Sequence, residues 1–359
     1  MKISEARMMR LVKSFRGKRL AVAGDWMLDR YVWGTATKLS PEAAVPVVDF
    51  TNETSCPGGA GNVAANLVAL GAKVQAFGVT GEDEAAESLR ACARALGLSD
   101  KGLVTDRTRP TTVKTRIMAR HQHVVRVDRE SRASVAKEIE EILIRRVLAG
   151  LRQADALVIS DYDKGAVTDE FAGRVLGVCK KLGVPAFVKP KWSRLPTYPG
   201  ATAIVCNRGE AGFLVTRALD DEESVGEAGR ALLAHFGCPA VVITRGEEGM
   251  NVFEHDAPKG FHVGATSREI PYGKLGAPGP HRGALGRQVF DLTGAGDTVL
   301  ATLALASAAG ASMKEVAILA NVAAGIVVGK LGTATVSPQE LLGALGEANV
   351  KAMAAGARG

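Results

Sequence analysis

Short apolar segments alternate along this chain with longer segments in which apolar residues recur at helical spacing. Arg19–Ala23, Val74–Val79 and Ala156–Ser160 are predicted strands, and Val63–Leu70 and Lys137–Leu151 are predicted helices. This alternation predicts an α/β fold with a mostly parallel sheet covered by helices. The composition agrees, because 47% of the residues are hydrophobic and only 5% are aromatic, as in strands buried on both faces. No repeat or linker divides the chain, so we expect one domain over residues 1–359.

Three small residues stand directly before a carboxylate in the segment Asp291–Asp297, and the apolar run Thr298–Ala309 follows it. Residues 294–296, Gly-Ala-Gly, allow a tight turn with uncovered amide groups. If the apolar run is a helix, these amides lie at its N-terminus, where unpaired donors and the helix dipole favour an anion. Asp297 would then suit proton removal from a hydroxyl during phosphoryl transfer. The alternative is a Gly-rich turn with Asp297 as the helix N-cap.

A second Gly-rich segment, Pro57–Asn62, stands directly before the predicted helix Val63–Leu70. Its exposed amides could hydrogen-bond sugar hydroxyls, and Asn62 offers both donors and acceptors. The alternative is that these glycines serve helix capping and close helix–sheet packing.

Polar groups also follow several other predicted strands, at the edge where ligands bind in open α/β sheets. These groups are Asp25, Asp161–Gly165, Lys189 and Lys191. Asn207 and Glu210, which follow the predicted strand Thr202–Cys206, could bind a hydrated Mg²⁺ through water. Taken alone, Asp25 would be interpreted as a turn residue.

Two further regions predict a small β-sheet that projects from the main body. One covers about residues 25–50. The other covers about residues 111–128, where the side chains alternate in character along two predicted strands that could form a hairpin. The hairpin is basic because it carries Lys114, Arg116, Arg120 and Arg126. A lid with these side chains facing inward would suit a phosphosugar. The alternative is an exposed edge strand that carries charge against aggregation.

The formal net charge of +7 is compatible with nucleic acid, a membrane surface or an anionic small molecule as partner. The basic residues are scattered among acidic ones and are not interleaved with aromatic residues, so we favour a phosphorylated small molecule. We expect no nucleic-acid partner and no membrane association. The five cysteines form no Cys-x-x-Cys pair and the N-terminus has no apolar signal segment, so we expect a reducing, cytoplasmic location.

In these motifs the chain resembles the ribokinase-like, phosphofructokinase-B type carbohydrate kinases. Pro57–Asn62 is similar to that family's N-terminal signature and Asp291–Thr298 to its C-terminal signature, and the two occur in the family's order and spacing. The resemblance covers nearly the whole chain. It implies a three-layer αβα sandwich with a mostly parallel central sheet and a small β-sheet lid.

A closer resemblance is to the heptose 7-phosphate kinase branch of this family. It rests on the segments 24–31, 40–48, 244–250 and 328–333. It implies ATP-dependent phosphorylation of the anomeric C1 hydroxyl of D-glycero-β-D-manno-heptose 7-phosphate. The product would be heptose 1,7-bisphosphate for the lipopolysaccharide inner core. Many members carry a nucleotidyltransferase domain after the kinase, and because this chain stops at Gly359 we expect the stand-alone kinase form.

The resemblance also implies roles for individual residues. Asp297 would deprotonate the anomeric hydroxyl, with an anion hole formed by Gly294, Ala295 and Gly296. The sugar would be held by Asp25, Asp29, Gly58, Gly59 and Asn62. Candidates for the 7-phosphate are Arg116, Arg120, Lys164, Lys189 and Lys191. Mg²⁺ and the ATP phosphates would be organised by Asn207 and Glu210, and the nucleotide site would be lined by Thr244, Gly246 and Asn321.

Some expectations remain open at this point. A monovalent cation near Asp291 is common in the wider family, and the small sheet could pair with that of a second copy to form a homodimer. Trp192, Arg208 and Gly209 depart from the family pattern, and the long segment His255–Gln288 falls where the adenine should bind. The alternatives are a related kinase acting on fructose phosphate, ribose or a nucleoside, and a non-catalytic sugar-phosphate sensor.

Overall fold

A large sheet of nine strands forms the centre of the computed structural model, which describes residues 3–119, 122–191, 198–266, 292–330 and 332–347. Its spatial order is β13-β12-β11-β10-β9-β8-β1-β4-β5. The strands are β1 (Arg19–Gly24), β4 (Lys73–Thr80), β5 (Leu103–Thr105), β8 (Ala156–Ser160), β9 (Ala186–Lys189), β10 (Ala203–Asn207), β11 (Ala240–Thr244), β12 (Met250–Glu254) and β13 (Ala257–Val263). All neighbours from β5 to β11 pair in parallel, and β12 and β13 add an antiparallel edge.

Helices cover both faces of this sheet, so the fold has three layers. They are α1 (Glu5–Lys13), α2 (Ala60–Ala69), α3 (Glu84–Ala95), α4 (Lys137–Leu151), α5 (Asp169–Leu182), α6 (Arg208–Leu214), α7 (Glu222–Phe236), α8 (Ala295–Ala308), α9 (Met313–Val327) and α10 (Pro338–Glu347). One core contains residues of α1, α2, α3, α8, α9 and α10, and the other contains residues of α4 to α7. In β1, Leu20 and Val22 face the first core and Ala21 and Ala23 the second, as strand periodicity requires.

Local sequence signals fix several of the helix ends. Asp83 and Thr168 accept hydrogen bonds from the backbone at the start of α3 and α5, at 2.9 and 3.0 Å. Asn207 and Glu210 form a reciprocal capping box at the start of α6. Helix α5 ends at Gly183, whose φ of 67° suits glycine.

A second, four-stranded sheet has the order β3-β2-β6-β7. Its strands are β2 (Trp26–Leu39), β3 (Pro46–Gly59), β6 (Thr112–Ala119) and β7 (Gln122–Arg129), and we call it the small sheet. β2 begins one residue after Asp25, and Trp26 anchors that point because its indole nitrogen donates to the Phe77 carbonyl at 3.0 Å. The inner ends of β2 and β3 are buried, whereas every residue of β7 is exposed.

The predicted fold class is confirmed, with the mostly parallel central sheet and the smaller sheet both present. Some boundaries differ from the prediction. β3 continues past Phe50 to Gly59, because its inner end pairs with β2 beside the central sheet. Helix α8 begins at Ala295 rather than at Thr298. One domain over residues 1–359 stays a prediction. Among the described residues no helix has both the length and the apolar character needed to cross a membrane.

Strand order creates a crevice where β1 lies between β4 and β8. β4 and β5 lie on one side of β1 in the sheet, and β8 to β11, which come later in the sequence, lie on the other side. Such a reversal opens a ligand-binding crevice at the carboxyl ends of the strands. Asp25 after β1, Tyr162 after β8 and Lys189 at the end of β9 are therefore brought to one edge of the sheet.

Candidate active site

The first turn of α8 carries Asp297 into this crevice. Gly294 is the N-cap, with a φ of 82° that suits glycine, so the alternative with Asp297 as the N-cap is wrong. Close neighbours also require small residues here, since a Cβ on Gly294 would lie 2.6 Å from Asn62 Nδ2 and one on Gly296 would lie 3.1 Å from Lys189 Nζ. Of the amides in this turn, those of Ala295 and Asp297 donate to carbonyls of the preceding turn at 3.3 and 3.0 Å. No acceptor within the described residues takes the N–H of Gly296.

The Asp297 carboxylate is almost fully buried and accepts three hydrogen bonds from side chains. Tyr162 Oη donates to Oδ1 at 2.6 Å, and Lys189 Nζ donates to the same oxygen at 3.0 Å. Asn62 Nδ2 donates to Oδ2 at 3.0 Å. These donors come from α2, from the segment after β8 and from the end of β9. The carboxylate is thereby held in one orientation, with an ammonium group beside it.

Lys189 and Tyr162 also contact each other, with Lys189 Nζ 3.1 Å from Tyr162 Oη. Burial raises the pKa of Tyr162, and the negative charge of Asp297 raises it further, so the phenol stays protonated and donates. Burial alone would lower the pKa of Lys189, but Asp297, Tyr162 and Glu210 together raise it above its ordinary value. Lys189 is therefore a permanent cation beside the carboxylate.

Asp25 supports this arrangement from behind. Its Oδ2 accepts the backbone N–H groups of Tyr162 and Lys164 at 2.8 and 3.0 Å, and its Oδ1 accepts that of Ala166 at 3.2 Å. Burial raises the pKa of Asp25, and the three amides oppose that effect. The structure thus places Asp25 against the backbone of the segment 161–166, which carries Tyr162 and Lys164.

Asp29 lies across the crevice, on the small sheet, and pairs with Arg116. Arg116 Nη1 donates to Asp29 Oδ1 at 2.6 Å, and both side chains are buried. Burial raises the pKa of Asp29, and the Arg116 charge opposes the increase. Gly58 makes room for this carboxylate, because a Cβ there would lie 2.4 Å from Asp29 Oδ2. Thr333 Oγ1 lies 3.5 Å from the same Asp29 oxygen, Oδ2, and 2.8 Å from Tyr31 Oη.

A cleft of about 430 Å³ lies between the small sheet and the first turn of α8. Six cationic side chains and four carboxylates line it, an excess of two positive charges: Lys114, Arg116, Arg126, Arg132, Lys164 and Lys191 against Asp29, Asp128, Glu130 and Asp297. Glu130 forms ion pairs with Lys164 at 2.8 Å, with Arg132 at 3.3 Å and with Lys114 at 3.6 Å. Such a lining suits a ligand with two negative charges and several hydroxyl groups.

Lys191, Asn207 and Glu210 form a neighbouring group at the ends of β9 and β10. Asn207 Oδ1 accepts the N–H of Glu210 at 2.8 Å, and Glu210 Oε2 accepts the N–H of Asn207 at 2.8 Å. The other oxygen of Glu210 lies 3.6 Å from Lys191 Nζ. Both predicted Mg²⁺ residues are therefore fixed in place by the capping box, with one Glu210 oxygen directed to a cation.

A second cavity, of about 120 Å³, is lined in part by the same helix turn. Thr244, Gly246 and Asn321 all line it, together with Ala295 and Gly296. Asn321 Nδ2 donates to the Gly264 carbonyl at 2.7 Å, and Thr266 Oγ1 donates to the Asn321 carbonyl at 3.1 Å. The three residues predicted for the nucleotide thus meet at one cavity.

The predicted sugar-side residues divide into two groups. Asp29, Gly59, Arg116, Lys164 and Lys191 line the larger cleft, as do Gly294 and Asp297. The others contact these residues from behind: Asp25, Gly58, Asn62 and Lys189. Arg120 and Asp291 lie outside the described residues, as does most of His255–Gln288.

Several residues of the cleft were not predicted as site residues. Tyr162, Glu130 and Thr333 line it, and Tyr162 contacts Asp297 directly. A signal for Tyr162 was present in the sequence, because it stands in the polar segment after β8, the strand beside β1. Glu130 gave no signal, since its partners come from β6, from the following loop and from the segment after β8.

Comparison with known proteins shows the family. Residues 18–340 match the pfkB family carbohydrate kinases. A curated relative from Geobacter sulfurreducens, named Bifunctional protein HldE, is 43% identical over 325 residues, which are 90% of this chain and 62% of the relative. A relative of the same name from Paramagnetospirillum magneticum is 40% identical over 334 residues, 93% of this chain and 64% of its own length. The chain thus spans less than two thirds of these relatives.

Two solved structures share the fold at low sequence identity. Phosphofructokinase-2 from Escherichia coli, in complex with substrates and products, has a TM-score of 0.71 and 18% identity, covering 92% of this chain and 98% of its own. Ribokinase from Arabidopsis thaliana, complexed with ribose and ATP, has a TM-score of 0.67 and 20% identity, covering 92% and 99%. With the family match over most of its length, the chain belongs to the PfkB family of carbohydrate kinases.

Proposed function

We propose that this carbohydrate kinase transfers the γ-phosphoryl group of ATP to the anomeric C1 hydroxyl of D-glycero-β-D-manno-heptose 7-phosphate. The product would be heptose 1,7-bisphosphate, a precursor of ADP-heptose and of the lipopolysaccharide core. We propose a cytoplasmic location for this reaction, because ATP is its donor. The heptose assignment rests on the resemblance of segments 24–31, 40–48, 244–250 and 328–333 to heptose 7-phosphate kinases, and the relatives named HldE agree with it.

One observation carries the kinase chemistry. The first turn of α8 contributes to two cavities, with Asp297 and Gly294 lining the larger, charged one and Ala295 and Gly296 lining the smaller one. A sugar in the first cavity and a nucleotide in the second would meet across this turn. Such an arrangement provides the proximity and alignment that phosphoryl transfer requires.

In the proposed mechanism Asp297 accepts the proton of the sugar hydroxyl as the phosphoryl group arrives. Asn62, Tyr162 and Lys189 hold the carboxylate in place. The N–H of Gly296, at the positive end of the helix dipole, stabilises the negative charge of the transferring group. Gly294 and Ala295 provide the tight turn that exposes this end of the helix.

The cleft favours a phosphorylated sugar over a neutral one because its lining carries an excess of two positive charges. Lys164 and Lys191 are proposed to hold the 7-phosphate, with Lys114 and Arg132 alongside them. Arg116 pairs with Asp29, and we propose that this pair, with Gly59, orients the sugar hydroxyls. The related activity on fructose phosphate remains the second candidate, since the same charges would also accept that substrate.

Mg²⁺ would supply charge neutralisation of the ATP phosphates when bound. No cluster of three potential metal-binding residues occurs among the described residues. The Asn207–Glu210 pair fits only an indirect, water-mediated role, because its oxygens are largely used by the capping box. The proposed monovalent cation near Asp291 lies outside the described residues.

We further propose a homodimer through the small sheet. Its outer part exposes large apolar side chains, including Leu39 (65% exposed), Phe50 (67%) and Val127 (55%). Such a patch is typical of protein interfaces. Sedimentation of the Phe50→Glu variant should show dissociation, whereas Leu182→Glu, on the exposed face of α5, should sediment as the wild type does. A wild-type monomer at micromolar concentration would contradict the proposal.

The substrate assignment is tested by ADP release with heptose 7-phosphate, fructose 6-phosphate and ribose. We expect the highest kcat/KM with heptose 7-phosphate. Phosphorus NMR of the product should show a new anomeric phosphate beside the original one. Higher kcat/KM with fructose 6-phosphate would select the second candidate, and the absence of ADP with every sugar would contradict both.

A further inference from the structure

A chain of buried hydrogen bonds runs from the back of α8 to the Asp297 carboxylate. Thr298 Oγ1 donates to Asn66 Oδ1 at 3.0 Å, and Asn66 Nδ2 donates to Asn62 Oδ1 at 3.2 Å and to the Asn62 carbonyl at 3.0 Å. Asn62 Nδ2 then donates to Asp297 Oδ2 at 3.0 Å. Asn66 and Thr298 are fully buried, and neither lines the cleft.

The direction of each hydrogen bond is set by its neighbours. A carboxylate only accepts, so the nitrogen of the Asn62 amide must face Asp297 and its oxygen must face Asn66. The Asn66 nitrogen must then face Asn62, which leaves the Asn66 oxygen in need of a donor. Thr298 is that donor, and its hydroxyl lies closer to Asn66 Oδ1 than to the Gly294 carbonyl, at 3.0 against 3.3 Å.

We propose that Thr298 and Asn66 are positioning residues that keep the nitrogen of the Asn62 amide directed at Asp297. Reversal of the Asn62 amide would bring its oxygen against the carboxylate and its nitrogen against that of Asn66. Without the Thr298 hydroxyl, the buried Asn66 oxygen would lose its donor, and the Asn66 amide that fixes Asn62 would be held from one side only. The inference rests on the proposed role of Asp297 as the base.

The chain contains a matched control for this proposal. Thr302 lies one turn after Thr298 in α8 and is equally buried. Its hydroxyl has no hydrogen-bond partner among the described residues. Replacement of either threonine by valine removes one hydroxyl from the same buried helix while keeping the shape of the side chain. Only at position 298 does that hydroxyl belong to the chain that reaches Asp297.

The experiment compares T298V, T298S and T302V in steady-state kinetics. We expect kcat of T298V to fall about tenfold, the equivalent of one lost hydrogen bond, with the KM of both substrates unchanged. T298S, which keeps the hydroxyl, should retain the wild-type kcat, and so should T302V. Equal losses in T298V and T298S, or an unchanged kcat in T298V, would overturn the proposal. If T298V does not fold, T298A and T302A replace the valine pair.

A second readout does not depend on activity. The side-chain amide signals of Asn62 in ¹H–¹⁵N spectra should shift in T298V and stay in place in T302V. Unshifted signals in T298V would overturn the inference even in an active enzyme. A wild-type protein that phosphorylates no sugar would instead contradict the proposed function, while the spectra would still test the hydrogen-bond chain.

Discussion

Asp25 and Asp297 are both buried carboxylates that accept three hydrogen bonds, but the donors differ in kind. Those of Asp25 are backbone N–H groups of the segment 161–166. Those of Asp297 are side chains from three separate elements. Tyr162 joins the two regions, because its N–H binds Asp25 and its hydroxyl binds Asp297. The difference suggests that Asp25 fixes the backbone, whereas Asp297 is held by groups that can respond to a substrate.

Replacement of Asp297 by Asn should have the largest effect on activity. The amide cannot accept the sugar proton, so we expect kcat to fall about a thousandfold. ATP affinity, measured by calorimetry, should change little, because the second cavity is lined by other residues. A kcat near that of the wild type would remove Asp297 as the base and with it the distinction between the two carboxylates.

Replacement of Asp25 by Asn should act mainly on stability. The side-chain nitrogen of the new amide would face backbone N–H groups that a carboxylate oxygen accepts in the wild type. We therefore expect the free energy of unfolding to decrease by about 2 kcal/mol. Chemical denaturation measures this loss. Because the segment with Tyr162 and Lys164 would shift, kcat should also fall. An unchanged stability with a lowered kcat would instead give Asp25 a direct role at the sugar.

Replacement of Lys164 by Met separates the side chain of this segment from its backbone. The Asp25 contact uses only the backbone N–H and would remain, whereas the charge in the cleft would be lost. We expect KM for the sugar phosphate to rise about tenfold or more, as for a lost charged hydrogen bond. K180M, on the exposed part of α5, is the control. Equal KM values in the two variants would exclude Lys164 from phosphate binding.

Replacement of Tyr162 by Phe removes one donor from Asp297 and keeps the backbone bond to Asp25. We expect kcat to fall about tenfold, as for one lost hydrogen bond. Y198F is a matched control, because the buried Tyr198 hydroxyl donates to Asp161 at 2.7 Å and not to Asp297. A similar kcat in both variants would show that the Tyr162 hydroxyl does not support the base.

The smallest expected effect concerns pH. Burial raises the pKa of Asp25 above its ordinary value of 3.8. The folded state therefore binds more protons there than the unfolded state, so the contribution of this group is full below pH 3.8 and is lost as pH rises through the folded pKa. The stability difference between wild type and D25N should accordingly shrink from pH 4 to pH 7. A stability difference that increases with pH would instead indicate that folding lowers the pKa of Asp25.

Much of the fold followed from local sequence patterns. Strand β8 and helix α4 were predicted with the bounds that the structure has, because β8 is a short apolar run between polar residues and α4 carries apolar residues at helical spacing. The start of α8 was predicted three residues late, because Gly-Ala-Gly indicated a turn although Gly294 alone serves as the cap. The α2 segment was predicted to start at Val63 for the same reason.

The site was predictable only in part. Residues that follow strand ends, such as Asp25 and Lys164, were predicted as candidates because the topology brings such positions to one edge, whereas Asp29 was predicted only from the family resemblance. The pairing of Arg116 with Asp29 and of Lys164 with Glu130 was not, because these contacts join different strands and loops. Asn66 and Thr298 gave no signal, since a buried polar residue inside a helix looks like any other until its partners are known.

The three donors to Asp297 lie 235, 135 and 108 residues away along the chain. Contacts with such separations carry a large entropic cost of loop closure and form late in folding. Recovery of activity after dilution from denaturant should therefore lag behind recovery of helical circular dichroism. Enzyme turnover in this protein would serve as a reporter of the last step of its assembly.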